Sequence, residues 1–381
     1  MLIFSFILLL VGCYAAILST TNKKRLIQLN ATEKTELSPF ISIVIPARNE
    51  ETTIEQCVRS MMEQSYTNLE ILVLDDNSTD GTADKVLALQ KEDTRVRYIR
   101  GRELNDGWRG KLFAMQQLFE ESKGEFLLFT DCDTVHGIHS VQFGLNVLVK
   151  HKASLLSGYP LQRSTGIFTW TLISVMILNT VLYLPIKLQE KLQFPGFSMA
   201  IGQYLFIRKS ALIAIGGFST MKNVICDDVM LARTFARNGH KQMFADLKNN
   251  VSCTMYTSFK DSFKGTERSI TGVIKQSVPM FFAIFVAAML LIGCAFSLPF
   301  SAVLLVISKD NPAVLLPGTL ALVGSFLLFG SWIRMALFHG YPFKVAIMGP
   351  LSFLFVVSMY IHGYYLRVSG KGFVWKDRKI T

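Results

Sequence analysis

The hydrophobic pattern divides the chain into three regimes. Residues 1–18, MLIFSFILLLVGCYAAIL, form an uncharged apolar run of about one bilayer thickness. Residues 40–277 alternate short β-branched runs with amphipathic stretches. Residues 278–368 are almost continuously apolar, broken at Lys309-Asp310-Asn311-Pro312 and Gly340-Tyr341-Pro342.

Within the middle regime the pattern switches between strand-like and helix-like. Ile41-Ser42-Ile43-Val44-Ile45 predicts a strand ended by Pro46, followed by a helix over about 51–63. A second strand, 70–74, precedes Asp75-Asp76-Asn77-Ser78-Thr79-Asp80-Gly81-Thr82 and a helix over about 82–91. A strand at 96–99, a helix at 111–121 and a strand at Phe126–Phe129 complete the series. This alternation argues a mainly parallel, three-layer α/β sheet. Such sheets bind ligands at the carboxyl ends of their strands, and PARNE, DDNSTDGT and TDCDT all fall there.

Residues 166–185, GIFTWTLISVMILNTVLYLP, are apolar and uncharged. As a transmembrane span they would split the α/β region, because GQYLFIRKSALIAIGGF and CDDVMLAR follow as its second half. An interfacial or re-entrant helix keeps both halves on one side. The stretches 278–307, 313–338 and 344–366 are each long enough to span. Lys23-Lys24-Arg25 places the N-terminus outside and the following chain inside, and the first run, without a basic leader or small-residue cleavage site, reads as an uncleaved anchor. The expected plan is an anchor at 1–20, a linker at 21–39, a catalytic domain at 40–277, membrane helices at 278–368 and a basic tail at 369–381. That plan predicts a multi-pass protein of the inner (cytoplasmic) membrane with its catalytic domain on the cytoplasmic side. Three spans starting inside would strand the basic tail outside, so one stretch is re-entrant or the tail breaks the rule.

Composition supports a membrane setting. Half of the residues are hydrophobic and 18% are charged, with mean hydropathy +0.36. Of the net charge of +11, much lies in 278–381, where eight Lys/Arg face two Asp/Glu. Basic excess beside apolar stretches fits membrane flanks, and no nucleic-acid motif accompanies it. The six cysteines, at 13, 57, 132, 226, 253 and 294, form no CxxC pair, which excludes a zinc site or disulfide framework as the organising principle.

Asp131 and Asp133 at the exit of a buried strand suit a hard divalent cation, Mg²⁺ or Mn²⁺, shared with phosphate oxygens. The alternative is a capped turn in which Asp133 starts the next helix. Asp75-Asp76 can accept hydrogen bonds from a nucleoside or close an Asx turn. Arg109 and Lys111, in GWRGK, sit where phosphates can meet a helix N-terminus. Asp227-Asp228 either cap a helix or supply a general base.

Taken together, ISIVIPARNEE, LVLDDNSTDGT, LLFTDCDT, GQYLFIRKSALIAIGGF and DDVMLAR resemble family 2 glycosyltransferases of the GT-A fold over about residues 40–260. The resemblance implies transfer from a nucleotide-diphosphate sugar by an inverting displacement. It implies nucleotide-sugar contacts at Pro46, Ala47, Arg48, Glu50, Asp76, Lys111, Asp131 and Gln203, metal binding at Asp133, and a catalytic base at Asp228 with Asp227 beside it. The anchor, GWRGK, GQYLFIRKSA and the ending FVWKDRK are similar to membrane-bound members of carotenoid (diaponeurosporenoate) and hopanoid pathways, which implies a carotenoid or other isoprenoid acceptor. A polyprenyl phosphate or diacylglycerol acceptor is the alternative. The Q-x-x-R-W of processive members is absent, and Met255-Tyr256…Gly265-Thr266-Glu267-Arg268 occupies that region, which argues for a single transfer. A catalytically silent relative would have lost acids at 131, 133 or 228, and all are present.

Overall fold

The computed structural model describes residues 2–30, 32–164, 166–224, 226–273, 302–303, 306, 311–369, 373–375 and 378–380. Most of the expected span at 278–307, and Lys371 and Lys376 of the basic tail, lie outside the described residues.

After the helix α1 (Leu2–Asn30), the α/β domain opens with β1 (Ile41–Ala47), α2 (Ile54–Met62), β2 (Leu69–Asp75), α3 (Thr82–Glu92) and β3 (Val96–Arg100). It continues through α4 (Gly110–Glu121), β4 (Phe126–Phe129), β5 (Thr134–His136), α5 (Ser140–Lys150), β6 (Leu155–Tyr159) and β7 (Leu161–Gln162). A helical interruption, α6 (Ile167–Ile173) to α7 (Ile186–Leu192), precedes β8 (Leu205–Arg208), α8 (Lys209–Ala214), α9 (Asp227–Arg237), β9 (Gln242–Asp246) and β10 (Val251–Cys253). Seven strands form one sheet in the order β3-β2-β1-β4-β8-β6-β9. The β3-β2-β1-β4 half is parallel, β8 runs antiparallel to β4 and β6, and β6 pairs β9 in parallel. The sheet is therefore mixed but mainly parallel.

Both faces are covered. Ile43, Ile45, Ile71 and Val73 pack with Val58 and Met61 of α2 and Leu145 of α5. Val44, Leu72 and Leu74 pack on the opposite face with Leu112, Met115 and Leu118 of α4 and Phe235 of α9. A strand buried on both faces needs no polar alternation, and each such side chain contributes about 1.5–3 kcal/mol of burial. Pro46 does not end β1, which runs on to Ala47. The β4 ladder stops at Val44↔Phe129, and Thr130 N donates to Val44 O on that side. The missing N–H of Pro46 faces this finished edge and costs no ladder bond.

The apolar helices are less regular than expected. The first helix does not stop near residue 20 but continues through the basic cluster to Asn30, so half of the expected linker is helical. Its last turns are stitched to the domain: Asn22 Nδ2 donates to Thr180 O and Leu184 O at 2.9 and 2.7 Å, and Arg25 pairs with Glu190 at 2.8 Å. The 166–185 segment is not one helix. A 3₁₀ turn at Ser174–Ile177 and a π turn at Asn179–Tyr183 follow α6, and α7 departs at 65°. Pro185 supplies no N–H, and the carbonyls released at the break are taken by Asn22.

Beyond α10 (Phe259–Val273) come α11 (Pro312–Phe338), α12 (Phe343–Ile347) and α13 (Gly349–Val368). Helices α1 and α11 lie side by side in the same direction. A Cβ on Gly12 would overlap the Gly324 carbonyl, Arg334 reaches Ser19 and Ala16 O, and Lys23 sits 5.4 Å from the Phe338 ring. Small residues at the crossing let the backbones approach. Among the described residues, α1 and α11 are long and apolar enough to cross a membrane, whereas Leu351–Leu366 is shorter. The expected span at 344–366 is thus broken into α12 and α13. Helix α13 packs on α6 and α10: Ser352 Oγ donates to Thr171 O at 2.8 Å, and His362 Nδ1 meets Glu267 Oε1 at 2.6 Å.

Candidate active site

Three strand ends and the N-terminus of α9 converge on one cavity of about 1150 Å³. Its wall includes Pro46 and Ala47 at the end of β1, Arg48 and Glu50 just after it, Asp76 after β2, Asp131 and Asp133 after β4, and Asp227 and Asp228 of α9. Lys111 and Gln203 also line it. Every site residue expected from the sequence is therefore brought to the same space.

The loops after β1 and β2 are zipped together. Asn49 N donates to Ser78 Oγ at 2.9 Å, Thr79 N to Asn49 Oδ1 at 2.9 Å, and Glu50 N to Thr82 Oγ1 at 2.8 Å. Asn49 and Asn77 adopt left-handed φ values of 51° and 54°, a conformation asparagine tolerates. Asp75 is the structural acid of its pair: Oδ1 accepts from Ser78 N at 2.9 Å and Oδ2 from Tyr98 OH at 3.1 Å. Asp76 lines the cavity. The Asx-turn reading thus falls to Asp75.

Asp131-Cys132-Asp133 is a turn, not extended chain and not a helix cap. Thr134 N and Oγ1 both donate to Asp131 O, at 3.3 and 2.7 Å, and β5 follows instead of a helix. The two acids face one cavity because the chain turns there. Cys132 is buried, with its Sγ donating to Pro46 O at 3.4 Å. Beneath the turn lies a buried network that sequence patterns did not reveal. Thr130 Oγ1 bonds Thr134 Oγ1 and His136 Nε2 at 2.8 and 2.9 Å, and Ser140 links His136 to Gln64. Burial lowers the His136 pKa to about 3, so it acts as a neutral hydrogen-bonding strut.

Lys111 is the positive partner of these acids. Its Nζ lies 2.7 Å from Asp131 and 3.8 Å from Asp227. Burial opposes the charged ammonium, but Asp131, Asp227 and Asp228 hold its pKa above the usual lysine range. Asp228 accepts from Gly202 N at 3.0 Å and Val229 N at 2.7 Å. Burial, then the neighbouring Asp227, pushes its pKa up. Asp133 is likewise pushed up, to about 7, by burial and then by Asp131 and Glu50. Gln203 lines the wall, but its amide is engaged on both sides, donating to Cys253 Sγ at 2.8 Å and accepting from Gln162 at 3.1 Å.

The acids fit a hard divalent cation. Asp133 Oδ1 is buried without a hydrogen-bond partner among the described residues, and Asp131 beside it is half-buried. Among the described residues no group of three or more His, Cys, Asp or Glu is gathered as a metal site. Mg²⁺ and its relatives commonly use one or two carboxylates and complete their shell with phosphate and water, so the pair suffices.

Another part of the wall is apolar, formed by Leu172, Ile173, Val175, Met176 and Leu178 of the broken segment with Val356 of α13. Arg109, Arg233, Tyr256 and Arg268 also line the cavity. Arg233 lay within DDVMLAR and Arg268 within the segment replacing Q-x-x-R-W, yet neither carried a distinguishing spacing.

Residues 42–216 match the family model "Glycosyl transferase family 2". A GalNAc(5)-diNAcBac-PP-undecaprenol beta-1,3-glucosyltransferase of Campylobacter jejuni is 34% identical over 25% of this chain and 30% of its own length. A beta-monoglucosyldiacylglycerol synthase of Nostoc sp. is 25% identical over 51% of this chain and 40% of its own. The chain thus spans less than half of either relative. The solved structure of mannosyltransferase PcManGT from Pyrobaculum calidifontis, in complex with GDP-Man and Mn²⁺, aligns over 92% of this chain and 99% of that one, with a TM-score of 0.52 and 18% identity. That likeness shows a shared fold. The strand-end acids, the mainly parallel sheet and the family match together identify residues 42–216 as a glycosyl transferase family 2 domain.

Proposed function

We propose that the protein is a membrane-held, inverting glycosyltransferase that moves one sugar from a nucleotide-diphosphate donor to a lipidic acceptor. The observation that carries this reading is the unbroken cavity between the strand-end acids and the apolar wall of Leu172–Leu178. The polar end suits a nucleotide diphosphate, and the apolar end suits a hydrocarbon chain. The names of the relatives support both halves: one is in complex with GDP-Man and Mn²⁺, and others are named for an undecaprenol-linked lipid or a glucosyldiacylglycerol.

Asp131 and Asp133 would hold Mg²⁺ or Mn²⁺ against the donor diphosphate, and neutralising charge on the departing diphosphate is the chemistry such a cation supplies. Lys111 and Arg109 add fixed positive charge at the same end. Asp76 and the Pro46–Glu50 loop hold the nucleoside, and Gln203 shapes the wall. Asp228, with its proton affinity raised by burial, accepts the proton of the acceptor hydroxyl near neutral pH. Asp227 and Lys111 hold the local charge in which it works. A carboxylate acceptor would need no such base.

The acceptor class has two readings. The overall resemblance of the chain favours a carotenoid or other isoprenoid, whereas the names of the curated relatives favour a diacylglycerol or polyprenyl-linked lipid. Mass spectrometry of lipid extracts from cells with and without the gene separates them, a pigment shift marking the first. The broader reading is tested by thermal shift of the purified protein with UDP-, GDP- and dTDP-sugars plus Mn²⁺. One donor should raise the midpoint by mass action, and no shift with any donor contradicts the reading.

A further inference from the structure

The end of the apolar run of α1 marks a level in the molecule. Past Leu18 the helix becomes polar and basic, Ser19-Thr20-Thr21-Asn22-Lys23-Lys24-Arg25. At that level Asn22 bonds the carbonyls of Thr180 and Leu184 and accepts from Ile186 N at 3.1 Å. Three residues on, Arg25 pairs with Glu190 of α7. Helix α7 therefore lies where α1 leaves its apolar layer.

The outward face of that segment has an unusual make-up for a water-facing surface. Ile186 and Gln189 are buried, while Lys187, Leu188, Lys191 and Leu192 point outward. Leu192 is 54% exposed and Phe194 53%. The lysines and leucines each recur one helical turn apart, so the two stripes run side by side. Glu190, the one acid here, is neutralised by Arg25, and Lys24 of α1 adds a further exposed cation. Apolar side chains flanked by lysines match the boundary between acyl chains and headgroups, where lysine stems lie along the apolar layer and their ammonium groups reach phosphates. Tyr183, at the start of this segment, is also part of the cavity wall.

We infer that Tyr183–Phe197 is a docking surface for the headgroup layer of a bilayer containing anionic phospholipid, and that it sets the apolar end of the cavity at that layer. This rests on the proposed function in one respect, that α1 stands in a membrane. The docked face brings the cavity to the acceptor, so a lipid acceptor enters with its head near the acids and its chain along Leu172–Leu178. Charge on Lys187 and Lys191 then governs access from an anionic leaflet but has no part in donor binding.

The test uses the full chain in nanodiscs of phosphatidylcholine with or without phosphatidylglycerol. In Phe194→Trp, lipids brominated near the headgroup should quench the added indole emission more than lipids brominated near the chain end, and more so with phosphatidylglycerol. In Lys187→Glu/Lys191→Glu, transfer in phosphatidylglycerol nanodiscs should fall by more than the roughly fivefold per lysine expected for loss of one charge, while transfer in detergent micelles and the donor-induced thermal shift match the parent. Lys187→Gln/Lys191→Gln should fall between. An indole untouched by shallow quenchers, or charge reversal without effect in anionic nanodiscs, overturns the docking surface. If the parent transfers no sugar in micelles, the glycosyltransferase reading fails instead, and the quenching result still decides where the segment lies.

Discussion

The two ends of the cavity are made in different ways. The polar end is built from short loops that immediately follow strands, each fixed by side chain-to-backbone bonds within a few residues or across one neighbouring loop. The apolar end is assembled from an interrupted helix and α13, held by contacts that bridge much of the chain, such as Ser352 to Thr171 and Asn22 to Thr180. The first construction holds charge at fixed positions, which preorganised electrostatic stabilisation requires. The second offers an apolar wall, which suits an acceptor recognised more by shape than by directed bonds.

Substitutions at the polar end should therefore be the more severe. Asp228→Asn is expected to lower kcat on a hydroxyl acceptor by about 10²–10⁴-fold while leaving the donor-induced thermal shift in place. Asp133→Asn should instead remove the Mn²⁺ dependence of donor binding, which titration calorimetry reads. Full activity of Asp228→Asn on a hydroxyl acceptor would remove the base assignment.

Lys111→Ala sharpens the contrast by deleting the cation among Asp131, Asp227 and Asp228. Lys111 keeps some solvent access, so a loss of about 1–3 kcal/mol of stability is expected, visible as a lower melting temperature at pH 8. The acids with raised pKa values, Asp133 and Asp228, take up protons as pH falls through neutrality. Repulsion is relieved, and the deficit relative to the parent should shrink between pH 8 and pH 6. A deficit independent of pH would assign Lys111 a packing role only.

The same titration sets metal affinity. A proton on Asp133 competes with the cation, and its pKa stands at about 7. Mn²⁺ binding, followed by its electron paramagnetic resonance signal, should weaken about tenfold for each pH unit below that point and level off above it. The smallest effect belongs to the apolar wall. Met176→Asn should raise the acceptor KM by about three- to tenfold, through one polar group set against hydrocarbon, with the donor KM unchanged. An equal rise in both would mean that the two ends are not separate.

The same contrast governs what the sequence disclosed. PARNE, DDNSTDGT and TDCDT were readable because each lies at the end of a strand whose burial pattern is local, and topology then brings the strand ends together. Pro46 misled because a proline in a strand is harmless once the neighbouring ladder has ended, and ladder lengths are not written in one strand's sequence. The turn at Asp131–Asp133 depends on Thr134 bonding back to Asp131 and on His136 beneath it, partners whose roles appear only in three dimensions. The 166–185 segment looked like one helix by composition. Its break depends on Asn22, which lies in α1 and supplies the bonds that the broken turns lose. Arg233 and Arg268 were present in quoted motifs, but only the packing of α9 and α10 around the cavity places them there.

The most direct measurement follows a radiolabelled sugar from donor to lipid. Purified full-length protein is incubated with the nucleotide sugar that gives the largest thermal shift, Mn²⁺ and a membrane lipid extract, and label is counted in the organic phase. A single cavity joining donor and lipid predicts label in one lipid species bearing one sugar, lost with chelator and in Asp133→Asn. Donor that is bound and hydrolysed, with its label remaining in the aqueous phase for every lipid fraction, would contradict it.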